Sequence, residues 1–508
     1  MIRRPWLVRK ISHSLMCSIC EDRDTCIMNR QKGKEEMDRK ITGKLEEELK
    51  AYKQSGQIPF HMPGHKRRFQ ATSAIDSTLD FTEVEETDDL HHSNGILKEA
   101  MGRTAALYGA DQTWFLVNGS TCGNLAGIFA LTHEGAEVIA ARNCHRSVFH
   151  AIQLRHLKVH WLMPPYIKAY ETYGSLTPQS VQDALEMYPD SEAVILTSPT
   201  YEGVISDIRA VSAIAHRHHV PVLVDEAHGP HLSMGDFPAG AVEEGADLVV
   251  QSPHKTLFSA TQTAWLHVKG DLVNHAEVEK QLGIFETSSP SYPLMMSLDG
   301  CTAAWQKDGD AYAKAWRQEI HAFEAVIQNL RHIRVLEHQN GQDSPLIYAY
   351  DPGKILIHTP LSGSACMKIL HDHYHFTMEM AQGHNVLAMS SAADAPGTLK
   401  KLGEALCEMD QHMAEEKEED ALEEIVLPEV RMTMHDAVEM THVTMDLENA
   451  AGRTAAEYLF LYPPGIPFIV PGEVIREEQI AIVHRVEALG YEVRHSESEK
   501  EQIIVCQK

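Results

Sequence analysis

Two short apolar runs, Val222-Leu223-Val224 and Leu248-Val249-Val250, each end abruptly in polar residues. The first runs into Asp225-Glu226-Ala227-His228-Gly229 and the second into Gln251-Ser252-Pro253-His254-Lys255-Thr256. Apolar runs of this length without polar alternation suit strands buried on both faces of a parallel sheet. Both would then deliver their polar residues to the C-terminal edge of that sheet, where open α/β sheets bind ligands.

The remaining chain supplies the sheet. Strands are expected at Trp114–Val117, Glu137–Ala140, Val159–Met163, Ala193–Thr197 and Ala264–Val268, and helices at Ile96–Tyr108, Cys122–Leu131, Pro178–Met187 and Ile208–His218. This alternation implies an α/β fold, a mostly parallel sheet with helices on both faces. Farther on, a long helix over Cys301–Ile333 would bridge to a smaller α+β unit with strands at Leu346–Tyr350 and Ile355–His358 and a helix at Ala365–His371. The C-terminal portion is expected to hold helices at Glu448–Phe460 and Glu477–Leu489 and strands at Tyr491–Arg494 and Gln502–Val505.

A chain of 508 residues exceeds one hydrophobic core. The formal charge of -27 argues against nucleic acid as a partner, since phosphate backbones are met by surplus Lys and Arg. No apolar run approaches the roughly 18 residues that cross a bilayer, and the N-terminus lacks a secretory apolar core, so no membrane partner and a cytoplasmic location are expected. The 9 cysteines show no disulfide-like framework, which suits a reducing compartment. Cys17, Cys20 and Cys26 with His13 make a weak match to a four-ligand zinc site, and no metal is expected. The acidic run Glu415–Glu424 reads as a solvated helix face or linker.

An Asp at one strand end and a Lys at the next form the pair that pyridoxal 5'-phosphate requires: a carboxylate to keep the pyridinium nitrogen protonated and an amine for the Schiff base. The alternative for Asp225 and Lys255 is a plain ion pair. Gly119-Ser120-Thr121 lies at a strand-to-helix turn, where backbone N–H groups and the helix dipole favour a phosphate, although Asn-Gly-Ser is also an ordinary turn. Ser252 and His254 would reach the same phosphate from the other side, and His145 is the candidate ring to stack on the cofactor. His228, three residues after Asp225, would position the substrate carboxylate or move a proton; its alternative is support of Asp225.

Several motifs occur in a fixed order: His61-Met62-Pro63-Gly64-His65-Lys66, Asn118-Gly119-Ser120-Thr121, Asn143-Cys144-His145-Arg146-Ser147, Asp225-Glu226-Ala227-His228-Gly229 and Ser252-Pro253-His254-Lys255-Thr256. Tyr462-Pro463-Pro464-Gly465-Ile466-Pro467 and Pro471-Gly472-Glu473 complete the set. Together, from about Pro59 to the C-terminus, the chain resembles the Orn/Lys/Arg decarboxylase family, pyridoxal-phosphate enzymes with the aspartate-aminotransferase fold. The resemblance implies that Lys255 is the Schiff-base lysine, Asp225 the pyridinium partner, His145 the stacking ring, and Ser120, Thr121, Ser252 and His254 phosphate ligands beside Gly119. It implies a substrate-side role for Thr200, a loop containing Ser288 and Ser289 that reaches the neighbouring subunit's site, and Glu473 at the site entrance.

The implied activity is decarboxylation of a basic L-amino acid, arginine, lysine or ornithine, by a homodimer or higher homo-oligomer. The alternative is an aminotransferase or another lyase, with Arg453 as a clamp for the substrate carboxylate. The chain resembles the short form without an N-terminal wing domain, and Arg67 and Arg68 stand where the family's loop usually has a small residue. The expected domains are 1–36 a disordered or non-native extension, 37–58 a helical arm carrying Met37, Ile41, Leu45 and Leu49, and 59–310 the large cofactor-binding domain. A small α+β domain at 311–418 and a C-terminal domain at 419–508 follow.

Overall fold

Seven strands form the central sheet: β1 (Gln112–Leu116), β2 (Glu137–Ala141), β3 (Lys158–Leu162), β4 (Ser191–Thr197), β5 (Val222–Asp225), β6 (Leu248–Gln251) and β7 (Ala264–Val268), in the order β1-β7-β6-β5-β4-β2-β3. They belong to a computed structural model that describes residues 56–66, 79–84, 87–339, 344–413, 427–462, 466–488 and 492–507, with Gln54 and Arg68. The expected helical arm at 37–58, apart from its last residues, the cysteine cluster and the acidic run at 415–424 lie outside the described residues. All neighbouring strands are parallel except β7, which runs antiparallel to both β6 and β1. Every residue of β5 and β6 is buried, as the unbroken apolar runs require.

Helix α1 (Gly119–Leu131) follows β1 and lies close on the sheet. A Cβ on Gly123 would sit 2.9 Å from Val250 Cγ1, and one on Gly127 would sit 2.5 Å from Leu248 Cδ2 and 2.8 Å from Leu223 Cδ1. Larger residues would lift the helix, so these two glycines set the depth of its N-terminus at the edge where β5 and β6 end.

A polar chain crosses the sheet beneath that edge. Gln251 Nε2 donates to Glu226 Oε2 (2.6 Å), Gln251 Oε1 pairs with His267 Nε2 (3.0 Å), and His267 Nδ1 pairs with Thr113 Oγ1 (2.7 Å). All four side chains are buried, and the Ala241 N–H donates to the other Glu226 oxygen. Burial pushes the His267 ring down to about 3, so it is neutral and its Nε2–H serves the Gln251 carbonyl.

Helix α2 (Arg146–Leu154) was not foreseen; it begins immediately after His145, which caps it. Helix α3 (Tyr292–Ile327) starts nine residues before the expected position, behind Ser291 and with Pro293 in its first turn, and its 36 residues extend roughly 54 Å. It carries the chain to a second, antiparallel sheet in the order Arg334–Val335, Lys354–His358, Asn385–Met389, Met380–Gln382. Trp316 on α3 donates from Nε1 to Ser390 Oγ at 2.8 Å, and the helix Thr398–Asp410, also unforeseen, packs along α3. The strand Ile58–Phe60 pairs in parallel with Phe376–Met378, which anchors the loop that follows it.

The C-terminal portion has its own core around Leu459, Phe468, Ile469, Ile480, Ile503 and Val505. The helix expected at Glu448–Phe460 does not form. Only Leu447–Asn449 makes a 3-10 turn, Gly452 takes φ +77°, and Thr454 and Ala455 bridge to Val474 and Val505 before the strand Leu459–Tyr462. The local helical preference of the alanines loses to strand pairing across a buried core.

Burial raises the Glu226 carboxyl to about 8 even though Gln251 and the Ala241 N–H favour its ionised form. The native state therefore keeps a proton that the unfolded chain releases near 4.5, and stability falls as pH rises from about 5 to about 8. Urea titrations should show Glu226→Gln gaining on the wild type over that window by on the order of a few kcal/mol. A pH-independent difference between the two would contradict this protonation state.

Candidate active site

Asp225 is the last residue of β5 and is 3% exposed. Asn124, on the sheet-facing side of α1, donates from Nδ2 to Asp225 Oδ2 (2.7 Å) and to Ser147 Oγ (2.9 Å), and the Ala227 N–H reaches Asp225 Oδ1 (3.1 Å). Ser147 Oγ is 2.8 Å from His145 Nδ1, which also accepts from the Ser147 N–H. One network thus holds the carboxylate and the candidate stacking ring. His145 keeps an accessible ring, yet the surrounding protein desolvates it and pushes its pKa down to about 4, so it is a flat neutral surface at physiological pH.

The candidate phosphate side forms where α1 and the turn after β6 meet. Gly119 takes φ +75°, Ser120 and Ser252 face each other through their hydroxyls, and Thr121 is exposed in the first helical turn. The unpaired N–H groups of that turn and the two hydroxyls form an anion cradle. His254 donates from Nδ1 to the Thr263 carbonyl (2.8 Å) and burial pushes it to about 4, so its Nε2 carries a lone pair and can donate to an anion only when the ring is protonated. The loop at 61–66 braces this turn, since the Gly64 N–H donates to the His254 carbonyl at 2.8 Å and Ser391 donates to the Gly64 carbonyl. Arg68 donates to the Ala393 carbonyl at 3.2 Å, and Arg67 lies outside the described residues.

Lys255 Nζ lies 3.0 Å from His228 Nε2. Burial lowers the pKa of Lys255, opposed by Asp225 and Glu379, and burial lowers that of His228 well below the ordinary value. The other ring nitrogen, Nδ1, is 2.7 Å from Nζ of Lys354, which is buried at the start of the strand Lys354–His358. Tyr201 stands edge-on to His228 with ring centroids 4.8 Å apart, and its hydroxyl donates to Glu379 Oε1 at 2.6 Å. The Met62 N–H holds Glu379 Oε2 at 2.9 Å.

Gly119, Ser120, His145, Asp225, His228, Ser252, His254 and Lys255 therefore gather at one sheet edge, with Thr121 beside them. Thr200 instead opens the turn that carries Tyr201, exchanging hydrogen bonds with Val204 at 2.8 and 3.2 Å. Ser288 and Ser289 are exposed in the loop before α3, whose Thr287 carbonyl pairs with His91 at 2.9 Å. Glu473 is 1% exposed and paired with the buried Arg142 at 3.3 Å. Arg453 donates to the Cys506 carbonyl at 2.9 Å within the C-terminal portion.

Asn124, Lys354 and Glu379 were missed. Lys354 had a signal, a cation heading a strand that continues Ile-Leu-Ile-His; Asn124 had a fainter one, an amide among small residues on a buried helix face. Asn124→Ala should leave the fold intact by circular dichroism and weaken pyridoxal phosphate binding roughly tenfold, because the Asp225 carboxylate loses a charged hydrogen bond. An unchanged dissociation constant in an absorbance titration would exclude this role.

Comparison with known proteins identifies the family. The model for "Orn/Lys/Arg decarboxylase, major domain" matches residues 44–356, and that for the C-terminal domain of the same family matches residues 415–494. An arginine decarboxylase of Bacillus subtilis is 31% identical over 86% of this chain and 92% of its own length, and one of Bacillus anthracis is 30% identical over 87% and 92%. Among solved structures, lysine decarboxylase A from Pseudomonas aeruginosa superposes with a TM-score of 0.70 at 19% identity, over 84% of this chain and 73% of that one. With a family model spanning more than half its length and relatives of this identity along nearly all of it, the chain belongs to the Orn/Lys/Arg decarboxylase family.

Proposed function

We propose that the protein uses pyridoxal 5'-phosphate to decarboxylate L-arginine. The observation that carries the chemistry is the desolvated amine of Lys255, 3.0 Å from His228, at the sheet edge that also holds Asp225. Arginine is preferred to lysine because the relatives at 30–31% identity are named arginine decarboxylases, whereas a constitutive lysine decarboxylase of Escherichia coli is 23% identical.

When bound, the cofactor supplies an electron sink for the pair left at the substrate Cα as carbon dioxide departs. The N-terminus of α1, with Gly119, Ser120 and Thr121, and the turn bearing Ser252 and His254 would hold the phosphate. Asp225, fixed by Asn124, would keep the ring nitrogen protonated, and the neutral His145 would offer its face to the ring. Lys255, whose pKa burial lowers, is the nucleophile that would anchor the aldehyde. His228 Nε2 would deliver a proton to Cα once the carboxylate has left.

The exposed loop with Ser288 and Ser289 would complete the site of a second copy, which makes a homodimer the active unit. Among the described residues six cysteines are free and no helix is long and apolar enough to cross a membrane, which supports a cytoplasmic enzyme.

Protein reconstituted with pyridoxal phosphate should show a visible absorbance band that Lys255→Ala abolishes. Given arginine, lysine and ornithine in parallel, it should release carbon dioxide and agmatine fastest, with His228→Gln slowing turnover by roughly a hundredfold. An oxo acid as product would refute decarboxylation. Cadaverine or putrescine formed faster than agmatine would refute arginine as the preferred substrate while leaving the chemistry in place.

A further inference from the structure

His228 lies between two lysines, its Nε2 3.0 Å from Lys255 Nζ and its Nδ1 2.7 Å from Lys354 Nζ. A neutral imidazole carries one N–H and one lone pair, and an ammonium group can only donate. The two lysines cannot therefore be equivalent: one must donate to the ring and the other must accept from it. Their surroundings decide which. Lys354 Nζ also reaches the Tyr201 carbonyl at 3.3 Å and lies 5.7 Å from the centroid of the Tyr201 ring, two electron-rich partners suited to a cation. Burial lowers Lys354 to about 8 against the attraction of Asp351, Glu379 and Glu202, and lowers Lys255 against that of Asp225 and Glu379, so it is the Tyr201 carbonyl and ring that single out Lys354 as the donor.

The loop is shaped around this second lysine. Gly203 takes φ +108°, and a Cβ there would lie 2.7 Å from Lys354 Cβ and 2.8 Å from its Cγ, so the glycine leaves room for the buried stem. The strand bearing Lys354 is fixed in turn, because the Lys354 N–H donates to the Asp351 carbonyl (3.0 Å) and the Lys354 carbonyl pairs with His338 Nε2 (2.8 Å).

We propose that Lys354 is a positioning residue: its ammonium donates to Nδ1 of His228 and so places the single imidazole proton on Nε2, where it is donated to the uncharged amine of Lys255. The polarity of the relay then has two effects. It holds Lys255 as a free base ready to take the cofactor aldehyde, and it puts the transferable proton on the nitrogen that faces the reacting centre rather than on the one that faces the protein. Of the other titratable groups facing His228, His145 and His254 are themselves driven neutral by desolvation, so Lys354 is the cation that sets the direction.

The catalytic value of this arrangement rests on Lys255 being the cofactor lysine, but the arrangement itself is read in cofactor-free protein, so the two ideas fail separately. Neutron diffraction from cofactor-free wild-type crystals grown in deuterated buffer near neutral pH should show a deuteron on His228 Nε2 and none on Nδ1. A deuteron on Nδ1 overturns the proposal, and no variant is needed to see it.

The second measurement is the pH midpoint for labelling of Lys255 by an amine-reactive reagent, followed by peptide mass spectrometry in the cofactor-free state. Lys354→Met should raise that midpoint by about one pH unit, because the ring then turns its lone pair to Lys255 and a repelling charge is gone. Lys354→Arg, which keeps the donor, should restore it. An unchanged midpoint in a Lys354→Met protein that melts cooperatively overturns the proposal; if that variant fails to fold, the neutron map decides alone.

Discussion

Leu248 stands opposite Leu223 and Val250 opposite Asp225 in the parallel pairing of β6 with β5, and the site depends on this register. A slip of one residue would turn every side chain of either strand to the opposite face and would move the Lys255 turn away from Asp225. What prevents the slip is burial on both faces, reinforced by α1, whose Gly123 and Gly127 admit Val250, Leu248 and Leu223 to van der Waals contact. The same close seating carries the N-terminus of α1, and with it Gly119 and Ser120, to the edge where the carboxylate and the amine emerge. Sheet register and the proposed phosphate cradle are therefore one construction.

Desolvation at that edge does chemical work that a solvated surface could not. Lysine and histidine in water would be mostly protonated and mixed, respectively, at neutral pH. Removing them from water disfavours the charged forms, and the shifts run in the direction that frees Lys255 as a base and leaves His145, His228 and His254 neutral. The polar chain from Glu226 to Thr113 shows the same effect on an acid, which retains its proton. Each buried group is tolerated because a partner meets it: Asn124 and the Ala227 N–H for Asp225, Gln251 and the Ala241 N–H for Glu226.

The parts of the fold and site legible in the sequence are those written in contiguous residues. The β5 and β6 runs, the Asn-Gly-Ser turn and the Ser-Pro-His-Lys turn each announce a strand end or a helix start, and chemistry follows directly from the residue types there. Lys354 stands out in the sequence as a cation heading an apolar strand, but its use was illegible because its partner His228 is far off in sequence and only the packing of the second sheet against the turn at Thr200–Gly203 brings them together. Asn124 was hidden for a similar reason: its use depends on which face of α1 meets the sheet. The failed helix at Glu448–Phe460 shows the converse, a segment whose alanines suit a helix but whose backbone is claimed by Val474 and Val505.

Arg142 joins the most distant part of the chain to the site. It follows β2 directly, three residues before His145, and donates to the carbonyls of Pro467 (2.5 Å) and Phe468 (3.4 Å) as well as to Glu473. Phe149 and Trp161 flank its guanidinium at 5.2 and 5.3 Å. An ion pair buried to this depth adds little net stability, since desolvation offsets most of the attraction, but removing either partner would strand the other charge. Its value is geometric. By fastening the turn after β2 to the C-terminal portion, the pair fixes the backbone from which His145 projects, so that residues more than three hundred positions later determine how the His145 ring is presented.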